Sequence, residues 1–111
     1  MIADRIRQRY LQDPLSIRLG GLAADLARIA SCAEDLRERD TIISLLDEGK
    51  WFAEWMAPDA PLEIQEKLAE IQIQLAIWQR RWLNGRPDDA MRVQAQRWSD
   101  ELLALSGMNR D

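Results

Sequence analysis

Histidine is missing from all 111 residues. That absence removes the commonest general base and the commonest side-chain metal ligand together. Cysteine occurs once, as Cys32, which excludes an internal disulfide and a thiolate metal cluster. Flanked by Ala30, Ser31 and Ala33, it reads as a small packing residue on a helix and not as a nucleophile. Long apolar runs are missing too. No stretch reaches the roughly 18 residues that a membrane helix needs, and the opening Met-Ile-Ala-Asp-Arg-Ile-Arg lacks an apolar export core. No membrane association and a cytoplasmic location are therefore expected. No segment alternates with period two, so no strand is expected. Gly20-Gly21 falls inside a helical apolar pattern and not between a strand and a helix, which argues against a phosphate-binding loop.

The residues that are present describe a folded helical chain. Hydrophobic residues make up 47 % and charged residues 31 %, a balance that fits one domain over residues 1–111 and excludes a disordered chain. A net charge of −4 and a pI near 4.9 argue against general affinity for nucleic acid. The acidity is local: residues 34–70 hold 11 acids against 4 bases, which on helices reads as a solvated face.

Apolar spacing places the elements. Residues 2–12 read as a short amphipathic helix with Ile2, Ile6 and Tyr10 on one face. Asp13-Pro14 restarts the chain, Asp13 as N-cap and Pro14 at the first helical position. Leu15, Leu19, Leu22, Leu26, Ile29, Ala33 and Leu36 then recur at four/three spacing as the core stripe of a long helix. Asp40 or Thr41 is expected to cap the next helix, whose stripe is Ile42, Leu45, Leu46, Phe52, Ala53 and Met56. Pro58 and Pro61 end it and start another. Residues 61–84 carry Ile64, Leu68, Ile71, Leu75, Trp78 and Trp82 as one stripe, closed by Asn84-Gly85. Arg86-Pro87-Asp88-Asp89 opens the last helix, with Met91, Ala95, Trp98, Leu102 and Leu105 as its stripe and Gly107-Met108 as its C-cap. Short connections between four long helices predict an all-α, up-down-up-down four-helix bundle with a short extra N-terminal helix across one end.

Three features exceed what one core demands. In the helix of residues 61–84, Ile73 and Ile77 point away from the core stripe while Gln65, Gln72 and Gln79 climb one flank. So much uncharged surface predicts either a homodimer contact through Ile73 and Ile77 or cover by the N-terminal helix, and marks this as the candidate for the bundle's most enclosed helix. Along the first long helix, Gly20, Ala24, Ala27 and Ser31 form a row of small residues where another backbone could approach, and that row could join the same contact. Trp51 and Trp55 lie one turn apart, off the stripe, on the Ser44/Glu48 side. They either fold beneath the N-terminal helix or form a contact surface.

Chemistry is harder to find. Glu63, Glu66 and Glu70 share a helix side, but away from the apolar stripe, so they read as solvated surface and not as a di-metal site. Asp25 and Arg28, one turn apart, read as a surface pair. Arg80, Arg81, Arg86, Arg92 and Arg97 gather near Trp78, Trp82 and Trp98, an arginine–aromatic mixture of the kind that binds single strands. Those tryptophans lie on core stripes, however, so no nucleic-acid partner is expected. No catalytic residue, metal or cofactor is expected either. A non-enzymatic interaction or scaffold protein is the leading expectation, with a small-ligand or pigment-associated binding protein as the alternative, a flat apolar molecule lodging between tryptophans, and single-strand nucleic-acid binding through the Arg/Trp corner at 78–98 third.

The segments Arg18-Leu-Gly-Gly-Leu-Ala-Ala-Asp-Leu-Ala-Arg-Ile29, Trp51-Phe-x-Glu-Trp55, Gln72-x-Gln-Leu-Ala-x-Trp-Gln79 and Trp98-Ser99 together resemble a family of short all-helical cyanobacterial proteins of uncharacterised function. These segments are a packing pattern and not a chemical motif. The resemblance implies a stand-alone cytosolic bundle and brings no activity, cofactor or catalytic residue with it.

Overall fold

The computed structural model describes residues 2–87 and 89–107, with the side chains of residues 2 and 3 outside that description. Five helices follow one another: α1 (Ile2–Gln12), α2 (Leu15–Cys32), α3 (Arg39–Met56), α4 (Leu62–Leu83) and α5 (Met91–Ser106). Short 3-10 turns at Leu36–Glu38 and Ala57–Asp59 lead into and out of α3. The four long helices pack as a bundle, and α1 is the short N-terminal addition.

The long helices bury most of the stripe their spacing marks, with Leu105 of α5 exposed, while Ile6 of the α1 stripe is exposed as well. Leu19, Leu22, Leu26 and Ile29 of α2 meet Ile42, Leu46, Ala53 and Met56 of α3. Leu68, Ile71, Leu75, Trp78 and Trp82 of α4 and Met91, Ala95, Trp98 and Leu102 of α5 complete the core. Burying an aliphatic side chain of this size stabilises by roughly 1.5–3 kcal/mol, so the stripes dominate the fold energetics. Neighbours run antiparallel. Arg39 at the start of α3 donates to the Leu83 carbonyl at the end of α4 (3.3 Å), and Arg92 early in α5 pairs with Glu34 just past α2 (3.1 Å).

α2 is the most buried of the four long helices, packed closely against α3 and α5. The α2–α5 approach is tight because Ala23 and Ala30 are buried there and the Ser99 hydroxyl donates to the Ala23 carbonyl at 2.8 Å. The expectation that residues 61–84 form the most enclosed helix is therefore corrected: α4 sits at the corner diagonal to α2, with one side open to solvent. Its glutamines do partly turn inward. Gln79 donates to Asp47 of α3 (3.3 Å) and Gln65 to the Ala60 carbonyl (3.0 Å). Gly49 explains how closely α3 can lie against this helix, since a Cβ there would stand 3.0 Å from Leu75 Cδ1.

Several helix ends differ from their expected places. α2 stops at Cys32, four residues short of Leu36, which is 70 % exposed. The cause is Asp35, whose carboxylate accepts from the Arg37 backbone N–H (3.0 Å) and opens a 3-10 turn. That turn runs straight into α3, so neither Asp40 nor Thr41 acts as the cap. Pro14, not Asp13, occupies the N-cap of α2, and its carbonyl accepts from Ile17 and Arg18. At the end of α4, Arg86 N–H reaches the Arg81 carbonyl (2.8 Å) and Gly85 N–H the Trp82 carbonyl (3.2 Å). Gly85, at φ 69°, makes this paired closure possible. Gly107 ends α5 in the same left-handed region. Asp88 and Met108, expected at the two ends of the last helix, lie outside the described residues, as does the side chain of Ile2.

Candidate functional site

Two surfaces stand out once the core is accounted for. The first lies where α1 crosses the end of α3. Tyr10 is the anchor: its ring stacks on Phe52 at 4.2 Å and 7°, and its hydroxyl lies 3.3 Å from the Arg18 carbonyl and 3.4 Å from the Phe52 carbonyl. Burial pushes its phenol well above the ordinary tyrosine range. Beneath the ring, the nearly buried Arg18 guanidinium pairs with Asp59 at 2.9 Å. Trp55 packs against both Tyr10 and Phe52, and Trp51 stacks on Trp55 at 5.7 Å. The two tryptophans differ in burial. Trp55 tucks under the aromatic cluster, while Trp51 stays 46 % exposed.

Beside Trp51 runs a groove of about 310 Å³ lined by Ile6, Ser44, Asp47, Glu48, Phe52 and the two indoles. Glu48 also faces Asp25 of α2. Asp25 is 8 % exposed, and burial, the Glu48 charge and a shared hydrogen bond push its pKa up to about 8. The reading of Asp25 and Arg28 as a surface pair is corrected here. Arg18, Leu22, Asp25 and Ile29 recur at four/three spacing, so the sequence does place Asp25 on a buried row.

The second surface is the outer side of α4. Ile73 is 64 % exposed and Ile77 45 %, and Ala69 and Ala76 beside them are exposed as well. Leu62 at the start of the helix is 69 % exposed. Glu63, Glu66 and Glu70 flank the N-terminal half, and Arg80 and Arg81 the C-terminal half. A shallow groove of about 430 Å³ at the C-terminal end is lined by Ile77, Arg80, Arg81, Asn84 and Arg86.

The small-residue row of α2 does not join this face. Gly20 and Ala27 are partly buried, Ala24 and Ser31 are exposed, and α2 stands at the opposite corner from α4. The close backbone approach falls one position round the helix, on Ala23 and Ala30. Trp78, Trp82 and Trp98 are 2 %, 1 % and 4 % exposed, so the arginines near them have no stacking platform alongside. Trp78 and Trp98 touch at 5.7 Å, as do Trp51 and Trp55. That is the spacing of rings in contact, which leaves no slot for a flat molecule between either pair.

No helix among the described residues is long and apolar enough to cross a membrane. Comparison with family models, with curated proteins and with solved structures finds no match. Function must therefore be argued from the two surfaces themselves.

Proposed function

We propose that this chain is a non-enzymatic interaction protein that works as a homodimer through the outer face of α4, in the cytoplasm, as the resemblance to short cyanobacterial bundles also implies. One observation carries the reading: Ile73 and Ile77 lie exposed beside Ala69 and Ala76 on a helix that already buries Leu68, Ile71, Leu75, Trp78 and Trp82 on its inner side. Leaving a contiguous apolar strip in water forgoes about 25 cal/mol per Å² of burial, and closed two-fold dimers are the commonest way to recover it. Light scattering across a concentration series tests this. The wild-type mass should rise from 12.9 kDa towards about twice that value, while Ile73→Asp stays monomeric with unchanged helical circular dichroism. A wild-type mass fixed at 12.9 kDa into the high micromolar range rejects the proposal.

A second reading concerns the groove beside Trp51. Its indole faces and the Asp47 and Glu48 carboxylates suit an organic cation, which would gain cation–π and charge contacts together. Titration with tetramethylammonium should quench indole emission in the wild type and not in Trp51→Ala. Unchanged emission at millimolar cation discards this reading.

A further inference from the structure

The outer face of α4 has a charge order that matters for any pairing with itself. Glu63, Glu66 and Glu70 occupy its N-terminal half, Ile73 and Ile77 its middle, and Arg80 and Arg81 its C-terminal half. All seven side chains are exposed, and none of the five charged ones has an ion pair among the described residues. Lys67, the basic residue of the N-terminal half, is turned to the other side, where it pairs with Glu101 of α5 at 2.8 Å. A second copy laid parallel would set acid on acid and arginine on arginine, which disfavours that arrangement.

Laid antiparallel about a two-fold axis at Ile73, the same face complements itself. At about 1.5 Å per residue, residues equally distant from Ile73 come level across the axis. Glu66 and Arg80 are each seven positions from it, so each meets the other on the partner helix. Ala69 comes level with the partner's Ile77, a small residue facing a large one. Glu63 and Arg81 lie on one flank of the face, about 80° from Ile73 in helical projection, and come within two residues of level. The ends also fit. Leu62 and Asn84 both stand 11 positions from Ile73, so the exposed Leu62 of one copy reaches the Ile77-floored, arginine-rimmed groove of the other, with Glu63 against the arginines.

Resting on the self-association proposed above, we infer that the dimer is an antiparallel α4–α4 pair centred on Ile73, its orientation set by Glu63/Glu66 of each copy against Arg80/Arg81 of the other. The interface is isologous and closes after two chains, so it gives a dimer and not a filament.

Paired charge reversal tests orientation. The variant Glu63→Arg/Glu66→Arg and the variant Arg80→Glu/Arg81→Glu should each remain near 12.9 kDa by light scattering. An equimolar mixture should give a heterodimer of about twice that mass, and the four substitutions in one chain should restore the homodimer. Disulfide trapping in a Cys32→Ser background reads the register. Leu62→Cys/Asn84→Cys should cross-link between chains as a 62–84 pair, whereas Leu62→Cys alone should not link to itself. A wild type that never dimerises overturns the self-association proposal itself. A wild type that dimerises, with charge variants that still pair alone or with Leu62→Cys linking to itself, overturns the antiparallel pairing only.

Discussion

Asp25 and Arg18 are the two charged side chains buried among the described residues, and the bundle treats them differently. Arg18 has an opposite charge beside it, its guanidinium donating to Asp59 at 2.9 Å. Burial first, and then the charge of a second carboxylate, Glu48, push the Asp25 pKa up to about 8, so the folded protein keeps a proton there. The folded state holds that proton up to about pH 8, while the unfolded chain gives it up near 3.8. Between those values the folded state binds the extra proton, and stability falls as pH rises. The thermal midpoint of the wild type should therefore drop from pH 5 to pH 8. Asp25→Asn, whose amide donates to Glu48 as the protonated acid does, should flatten that slope and raise the midpoint at pH 8 by roughly 4 °C or more. Melts of both proteins at the two pH values decide it; a wild-type midpoint indifferent to pH would mean that Asp25 ionises freely. Both buried charges stand on one four/three row with Leu22 and Ile29, so their burial was legible. For Asp25 the competing signal is Arg28, three residues on, which offers a ready surface partner.

At the scale of elements, α1 is anchored by Tyr10. Asp4–Arg9 are all exposed, and among the described side chains of the helix Tyr10 alone is buried. Tyr10→Ala should cost about 3 kcal/mol and release α1 as a unit. The expected signature is loss of hydrogen-exchange protection across residues 2–12 with protection of α2–α5 retained. Amides of α1 that stay protected would show that other contacts hold it. Helix existence was legible wherever an apolar stripe ran for three turns, because the helical period leaves few alternatives. Helix ends were not. The stripe through Leu36 continued in sequence beyond the point where the Asp35 carboxylate captured the Arg37 N–H, and a side-chain hydrogen bond of that kind leaves no mark on apolar spacing.

For the molecule as a whole, the bundle and its helix order were readable from period and loop length, whereas the place of each helix within it was not. Apolar residues on two sides of a helix look the same in sequence whether the second side meets the core or the solvent. That ambiguity made α4 seem the enclosed helix, when α2 is. It also left the candidate surface half-legible: Ile73 and Ile77 were picked out by their position, but the exposure that gives them meaning came from the packing of α3 and α5 on the inner side alone. The core draws on Leu68, Ile71, Leu75, Trp78 and Trp82 of α4, and the outer face on none of them. Shape and assembly are consequently open to separate selection. Under the proposed α4 pairing, changes at Ile73 or Arg80 strengthen, redirect or erase the contact in a single step while every residue that builds the bundle stays in place, so among descendants of this sequence oligomeric state would diverge sooner than fold.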